Sequence, residues 1–305
     1  MSPAESPGEA RDGVPTQIPV RPTDAPSAAD AAPRLRPFAL LGSELGTLFR
    51  RRRTIAMLVA LAAIPVLIAI VVRITGAGSR GRGPAFLGSI TDNGLFVAFT
   101  ALVVCIPLFL PLTLGVVAGD TVAGEAGLGT LRYLLIAPAG RIRILAVKYA
   151  GVVVFSAAAT AAIVLAGIGI GAILFPIGPV TLLSGDTTDA VGFVTRTALL
   201  AGYVAISLTG LGAIGLFIST LTTVPVGAMA ATVVLAGASQ IMDQLPQLDW
   251  LHPWLFTHYW LGFADLLRDP IVWDSYGQNA VLQLGYVVVF GALAYGRFAT
   301  KDILS

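Results

Sequence analysis

Six long apolar stretches with polar connections between them set the pattern of this chain. They cover residues 54–72, 95–118, 149–175, 197–218, 224–242 and 281–296, and none holds Asp, Glu, Lys or Arg. A helix needs about 20 apolar residues, each rising 1.5 Å, to cross the hydrocarbon of a bilayer. All six meet or approach that length, and residues 278–280 can extend the last. The pattern predicts an all-α integral membrane protein with six transmembrane helices. Pro107 and Pro111 predict a kink in the second span, because proline removes a helix hydrogen bond and crowds the preceding turn. Gly167, Gly169 and Gly171 in the third span, with Gly210, Gly212 and Gly215 in the fourth, suit close helix packing in lipid.

Ahead of the first span the pattern changes twice. Residues 1–36 hold seven of the 19 prolines and almost no large apolar side chain. Such a segment cannot bury enough surface to offset its ordering entropy, so 1–37 is expected to be a disordered tail. It has no apolar stretch resembling a cleavable signal peptide. Phe38, Leu41, Leu45, Leu48 and Phe49 then recur at helical spacing, with Ser43, Glu44 and Thr47 between them. This stripe predicts an amphipathic helix on the membrane surface, with Arg50, Arg51, Arg52 and Arg53 reaching anionic headgroups. Residues 38–305 form the membrane domain.

Composition agrees. The chain is 56% hydrophobic and only 12% charged, about half the charged share of soluble domains. The net charge of +2 invites a nucleic-acid reading. The single basic cluster abuts a span, however, which is a topology signal rather than a phosphate-binding arm; no nucleic-acid partner is expected. Lysine and arginine crowd the N-terminal side of the first span and the connection after the second. By the positive-inside rule both termini are then cytoplasmic. Arginine outnumbers lysine 17 to 2, a bias that favours a bacterial plasma membrane. The single cysteine, Cys105, excludes a disulfide within one chain and reads as a small buried hydrophobe.

The connection over 119–149 is unusually informative. At about 30 residues it exceeds the usual loop length and carries its own apolar positions. Leu128, Leu131, Leu134 and Leu135 are spaced for one face of a short helix, limited by Pro138. That face needs cover from lipid or from another protein. The run resembles the cytoplasmic loop of type-2, exporter-class ABC transporter permeases. Glu125, Gly129, Thr130, Leu131, Leu134, Leu135, Pro138, Arg141 and Lys148 stand in that family's order and spacing. The chain departs from the family at Ala126, where a basic residue is frequent, and at Gly140, where serine is. The resemblance implies a coupling helix that docks on a cytoplasmic ABC ATPase, with Leu131, Leu134 and Leu135 as apolar anchors and Arg132 as a rim charge. It also implies a homodimer or heterodimer of permease chains. The cargo path would lie at the interface of those two chains, lined by the second and fifth spans, where Thr113, Thr232, Ser239 and Gln240 are the polar groups.

Residues 243–279 hold all four tryptophans and both histidines. Tryptophan favours the membrane interface, and 251–267 is apolar enough to dip into the bilayer and return where protein covers it. The resemblance implies a re-entrant outer element at this place. His252 and His258, with Asp249, match no zinc spacing and read as interfacial packing; Asp265, Arg268 and Asp269 read as a solvated ion-pair cluster.

A phosphate-binding loop needs Gly-Lys before Ser or Thr, and neither Lys148 nor Lys301 stands in one. Cofactors are therefore expected to be absent from this chain, with ATP and magnesium on the partner, and the chain itself is not expected to be an enzyme. Spans without ionisable residues speak against a proton-coupled transporter. Sodium coupling through backbone carbonyls, or a non-transporting scaffold, stays open. The reading is a permease subunit that exports a hydrophobic or amphipathic compound.

Overall fold

The computed structural model describes residues 37–75, 90, 93–130, 140–178, 180–181 and 187–300. The expected tail lies outside them, save Pro37, which opens the first helix. The surface helix α1, Pro37–Arg50, half-buries Leu41, Leu45, Leu48 and Phe49 as the stripe requires. The spans follow. The first is α2, Arg52–Thr75. The second is α3, Phe96–Cys105, with α4, Phe109–Gly127. The third is α5, Arg141–Leu174. The fourth is α6, Ala190–Ser207, with α7, Thr209–Leu221. The fifth is α8, Pro225–Met242, and the sixth α9, Asp274–Ala299. A two-residue antiparallel pairing, Val180–Thr181 with Thr187–Thr188, lies between the third and fourth. These helices are long and apolar enough for six crossings, counting the bent second span as one.

The predicted kink is a break. α3 and α4 meet at 58° across residues 106–108. Pro107 and Pro111 each withdraw an N–H from the i→i−4 ladder, so the turn between them cannot close as a regular helix. At 1.5 Å per residue the ten residues of α3 reach about 15 Å, half of the ~30 Å hydrocarbon core. α3 alone is therefore too short to cross.

The fourth span is the core of the bundle. Two-thirds (67%) of its most apolar window is buried, against 17% for the sixth. It packs on the second, fifth and sixth spans, while the first span and α3 pack on α5. Leu102, Leu110, Phe155, Tyr203, Leu211 and Phe263 meet inside. Large apolar side chains also cover the outside, among them Val59, Ile74, Leu165, Ile173, Val234 and Val281. In water so broad an apolar surface would aggregate; in a bilayer it is the lipid-facing coat.

Backbones approach wherever side chains vanish. A Cβ on Gly119 would stand 2.6 Å from the Met229 nitrogen, and one on Gly94 2.2 Å from the Gly171 oxygen. The first contact seats α4 on α8. Gly119→Val should force these two helices apart, because the obstructing atom is backbone and cannot rotate away. A loss of about 1–3 kcal/mol or more is expected, read as a lower unfolding temperature of the purified protein in detergent.

Candidate functional site

The second and third spans extend as helices well past their apolar stretches, so most of the expected 30-residue connection is helical. α4 runs to Gly127 and α5 begins at Arg141, leaving only 128–140 between them. No proline follows Pro111 in α4, and nothing stops that helix until Gly129 turns to φ 70°. The Gly129 N–H donates to Ala126 O and the Thr130 N–H to Glu125 O, the paired reverse bonds of a Schellman ending. The Thr130 hydroxyl also donates to Glu125 O, at 3.1 Å. Gly140 opens α5 at φ 74°. A serine there would sit in a strained left-handed backbone, which accounts for glycine at this departure from the family pattern. Leu131, Arg132, Leu134, Leu135 and Pro138 lie outside the described residues.

The roots of that connection converge on one ammonium. Lys148, 3% exposed, donates to Glu125 at the end of α4 and to Glu44 of the surface helix at 3.3 Å. Glu125 Oε2 is buried and has no hydrogen-bond partner among the described residues. Beside it, Asp120 accepts from Arg51 at 2.9 Å and from Arg53. Two of the four arginines expected to reach headgroups are therefore held by the protein. Three acids face three bases, so the cluster has no net charge. With every acid matched to a cation, the arrangement suits mechanical linkage rather than proton transfer. It ties α1, the start of the first span, the end of the second and the start of the third.

Two further ties brace it. The Ser219 hydroxyl of α7 donates to Gly119 O at 2.7 Å and accepts from the N–H groups of Val122 and Ala123 at 3.0 and 2.8 Å. It thereby grips α4 one turn before Glu125. Arg141 donates to Phe298 O at 3.3 Å and to Ala299 O, capping the end of α9 with a cation.

The polar groups expected along a path occupy other settings. The Thr113 hydroxyl donates within its own helix to Phe109 O and Leu110 O, both at 3.0 Å, and Thr232 to Ala228 O at 2.8 Å. Ser239 shares a 2.7 Å hydrogen bond with Thr257. Thr113, Thr232 and Ser239 are buried in the chain's own bundle. Gln240, half-exposed, donates to Pro107 O at 2.8 Å.

At the opposite end, residues 246–267 descend as short 3-10 turns, Pro246–Leu248, His252–Trp254 and His258–Leu267, rather than as an α half-helix. Neighbouring side chains satisfy their backbone. The Gln283 amide donates to Phe256 O at 2.8 Å, Tyr286 to Trp254 O at 2.8 Å and Tyr203 to Tyr259 O at 2.5 Å. The Trp260 indole donates to Ser207 O at 2.9 Å, where α6 gives way to α7 in mid-span. Trp250, Trp254 and Trp273 are exposed while Trp260 is buried. His258 pairs with Asp243 at 2.6 Å, Arg268 with Asp265 at 3.3 Å and Asp269 with Arg196 at 3.6 Å. Among the described residues no group of three or more His, Cys, Asp and Glu is placed to hold a metal ion.

Sequence reasoning found Glu125 and Lys148 and missed Glu44, Asp120, Ser219, Asn279 and Gln283. Glu44 was legible: it lies on the apolar stripe of α1, between Leu41 and Leu48, where a carboxylate needs a cation. Ser219 carried no comparable signal. A family model described as "ABC-2 family transporter protein" matches residues 48–236, more than half of the chain. No curated protein matches it.

Lys148→Met leaves two carboxylates facing one another without their cation. Breaking a buried pair costs about 3–5 kcal/mol. Both glutamates keep some solvent, so about 2–3 kcal/mol is expected here. Lys148→Met with Glu125→Gln should recover part of it, measured as a double-mutant cycle of detergent unfolding temperatures.

Proposed function

This chain belongs to the ABC-2 transporter family, and on that premise we propose that it is the exporting half of an ATP-driven pump for hydrophobic or amphipathic compounds. It is a multi-pass membrane protein and a permease subunit of an ABC transporter. Members of this family are membrane subunits that pair with an ABC ATPase and are not themselves catalytic. In the proposed cycle, ATP and magnesium bind to the partner ATPase. Closure of two such subunits pushes on the segment over 131–139, in which Leu131, Leu134 and Leu135 are the docking anchors and Arg132 a rim contact. Two permease chains, identical or related, enclose the path, lined by the second and fifth spans. The protein resides in the plasma membrane with both termini in the cytoplasm and the Trp-rich turns outside.

The observation that carries this reading is the convergence on Lys148. A push on the connection has to be transmitted, and both its roots are fixed. Glu125 precedes it, Lys148 follows it, and the two are bonded to each other and to the surface helix. The six apolar stretches hold no Asp, Glu, Lys or Arg, so a path lined by them offers no charged partner to a polar cargo, which supports a greasy one.

Gentle solubilisation of native membranes with a C-terminal tag should recover a soluble ATPase in stoichiometric amount by mass spectrometry. Leu131→Asp with Leu134→Asp should abolish that recovery and leave the bundle monodisperse. A well-folded bundle that brings down no ATPase in either form would refute the docking scheme.

A further inference from the structure

We infer that Gln240 is a latch that holds the broken second span against the fifth, and that Pro111 is the residue that makes the latch necessary. In a regular helix the carbonyl of residue 107 would accept from the N–H of residue 111. Residue 111 is proline and has none. The carbonyl of Pro107 is consequently without its α-helical donor, and that deficit is covalent. It sits at the 58° break between α3 and α4, within an apolar span where an unpaired carbonyl is costly.

The fifth span supplies the missing donor. The Gln240 amide donates to Pro107 O at 2.8 Å and, more weakly, to its own helix at Ala236 O, 3.4 Å away. The surroundings offer no substitute. Leu108, Phe109, Leu112 and Ile241 are exposed apolar side chains and carry no donor. One amide thus meets one carbonyl on an otherwise apolar face, and the bond runs between helices rather than within one. Closer to the charged end, Gly115 and Gly119 bring α4 against Val233 and Met229 of α8. The latch pins the same two spans near the end of α8, on the other side of that close approach. Spans two and five therefore move as one body while it is shut, and separating them requires another donor, water or cargo, at Pro107 O.

This inference uses the proposed path only for its consequence; the latch itself is a property of the folded chain, so the test is one that does not depend on transport. Spin labels at Leu112→Cys and Val234→Cys, in a Cys105→Ala background, report the separation of the two spans in lipid nanodiscs. The full chain should give one narrow short-distance population. Gln240→Leu and Gln240→Met, which each remove the donor, should each lengthen and broaden it. Adding Pro111→Ala to Gln240→Leu returns an N–H to the second span. That double variant should regain unfolding temperature yet keep the wider separation, because the carbonyl is satisfied and the tie is still cut. It also keeps the test decisive if Gln240→Leu alone does not fold. Unchanged label distances in Gln240→Leu would overturn the latch. So would a double variant whose distances return to the original, for then satisfaction of the carbonyl, and not the bond between spans, sets the packing.

Discussion

A polar group inside a bilayer has no water to fall back on, and the interior of this bundle is organised around that constraint. Wherever the backbone departs from a regular helix, a specific side chain arrives to complete it. The proline break in the second span is met by Gln240. The 3-10 turns of 246–267 are met by Gln283, Tyr203 and Tyr286. Asn279 donates to the Ser207 hydroxyl at 2.8 Å, and Gln283 accepts from the Gly210 N–H at 3.2 Å. Together they fill the junction of α6 and α7. In water each of these bonds would be a modest gain, about 1 kcal/mol. Here the alternative is an unpaired amide or carbonyl in hydrocarbon, so the same bonds decide which irregular backbones are permitted at all.

The two ends meet the constraint differently. At the Trp-rich end neutral side chains complete the turns, with ion pairs such as His258–Asp243 and Arg196–Asp269 beside them, and three tryptophans stand exposed where a ring with one polar edge is best placed. At the other end a buried cation ties the helices together. Lys148 is the only buried charge among the described residues, and it belongs to a helix that extends about two turns beyond its apolar stretch. Its methylene stem passes through apolar surroundings while the ammonium reaches two carboxylates. One cation shared between Glu44 and Glu125 makes the surface helix and the second span responsive to the same displacement. On the proposed docking scheme, that sharing lets a connection of only 13 residues act on elements as far apart in sequence as residues 44 and 148.

The spans were legible because hydropathy is a sum over 20 residues, and single exceptions do not disturb it. The surface helix and the break at Pro107 and Pro111 were legible for the same kind of reason: each rests on a local rule of spacing or of missing N–H groups. The length of the 119–149 connection was misjudged, since helix ends depend on φ at Gly129 and Gly140 and not on where the apolar residues stop. Glu125 and Lys148 stood out through their resemblance to a family pattern. Their partner Glu44 was marked only by its place on the stripe of α1, and Asp120, which pairs with Arg51 and Arg53, by nothing, because ion pairs between distant residues leave no periodic trace. The re-entrant stretch was legible as apolar, aromatic chain, but its 3-10 form depends on Gln283, Tyr203 and Tyr286, which the sequence places far from it.

The positions of Thr113, Thr232 and Ser239 show how a hydroxyl's role is set by its helix and not by its type. A threonine can return its hydroxyl to the carbonyl three or four residues back, so it sits in an apolar core without needing a partner from another span. Thr113 and Thr232 do this, and their polarity is spent locally. Gln240 cannot satisfy its amide that way. Its side chain is too long to fold back fully, and the 3.4 Å contact with Ala236 O leaves the stronger bond to be made across the interface. Of Thr113, Thr232, Ser239 and Gln240, glutamine alone bonds one of these two spans to the other. A bundle that must hold together in one state and part in another can use a bond of this kind, because a single neutral hydrogen bond to a permanently orphaned carbonyl is strong enough to fix a position and weak enough to be exchanged for water.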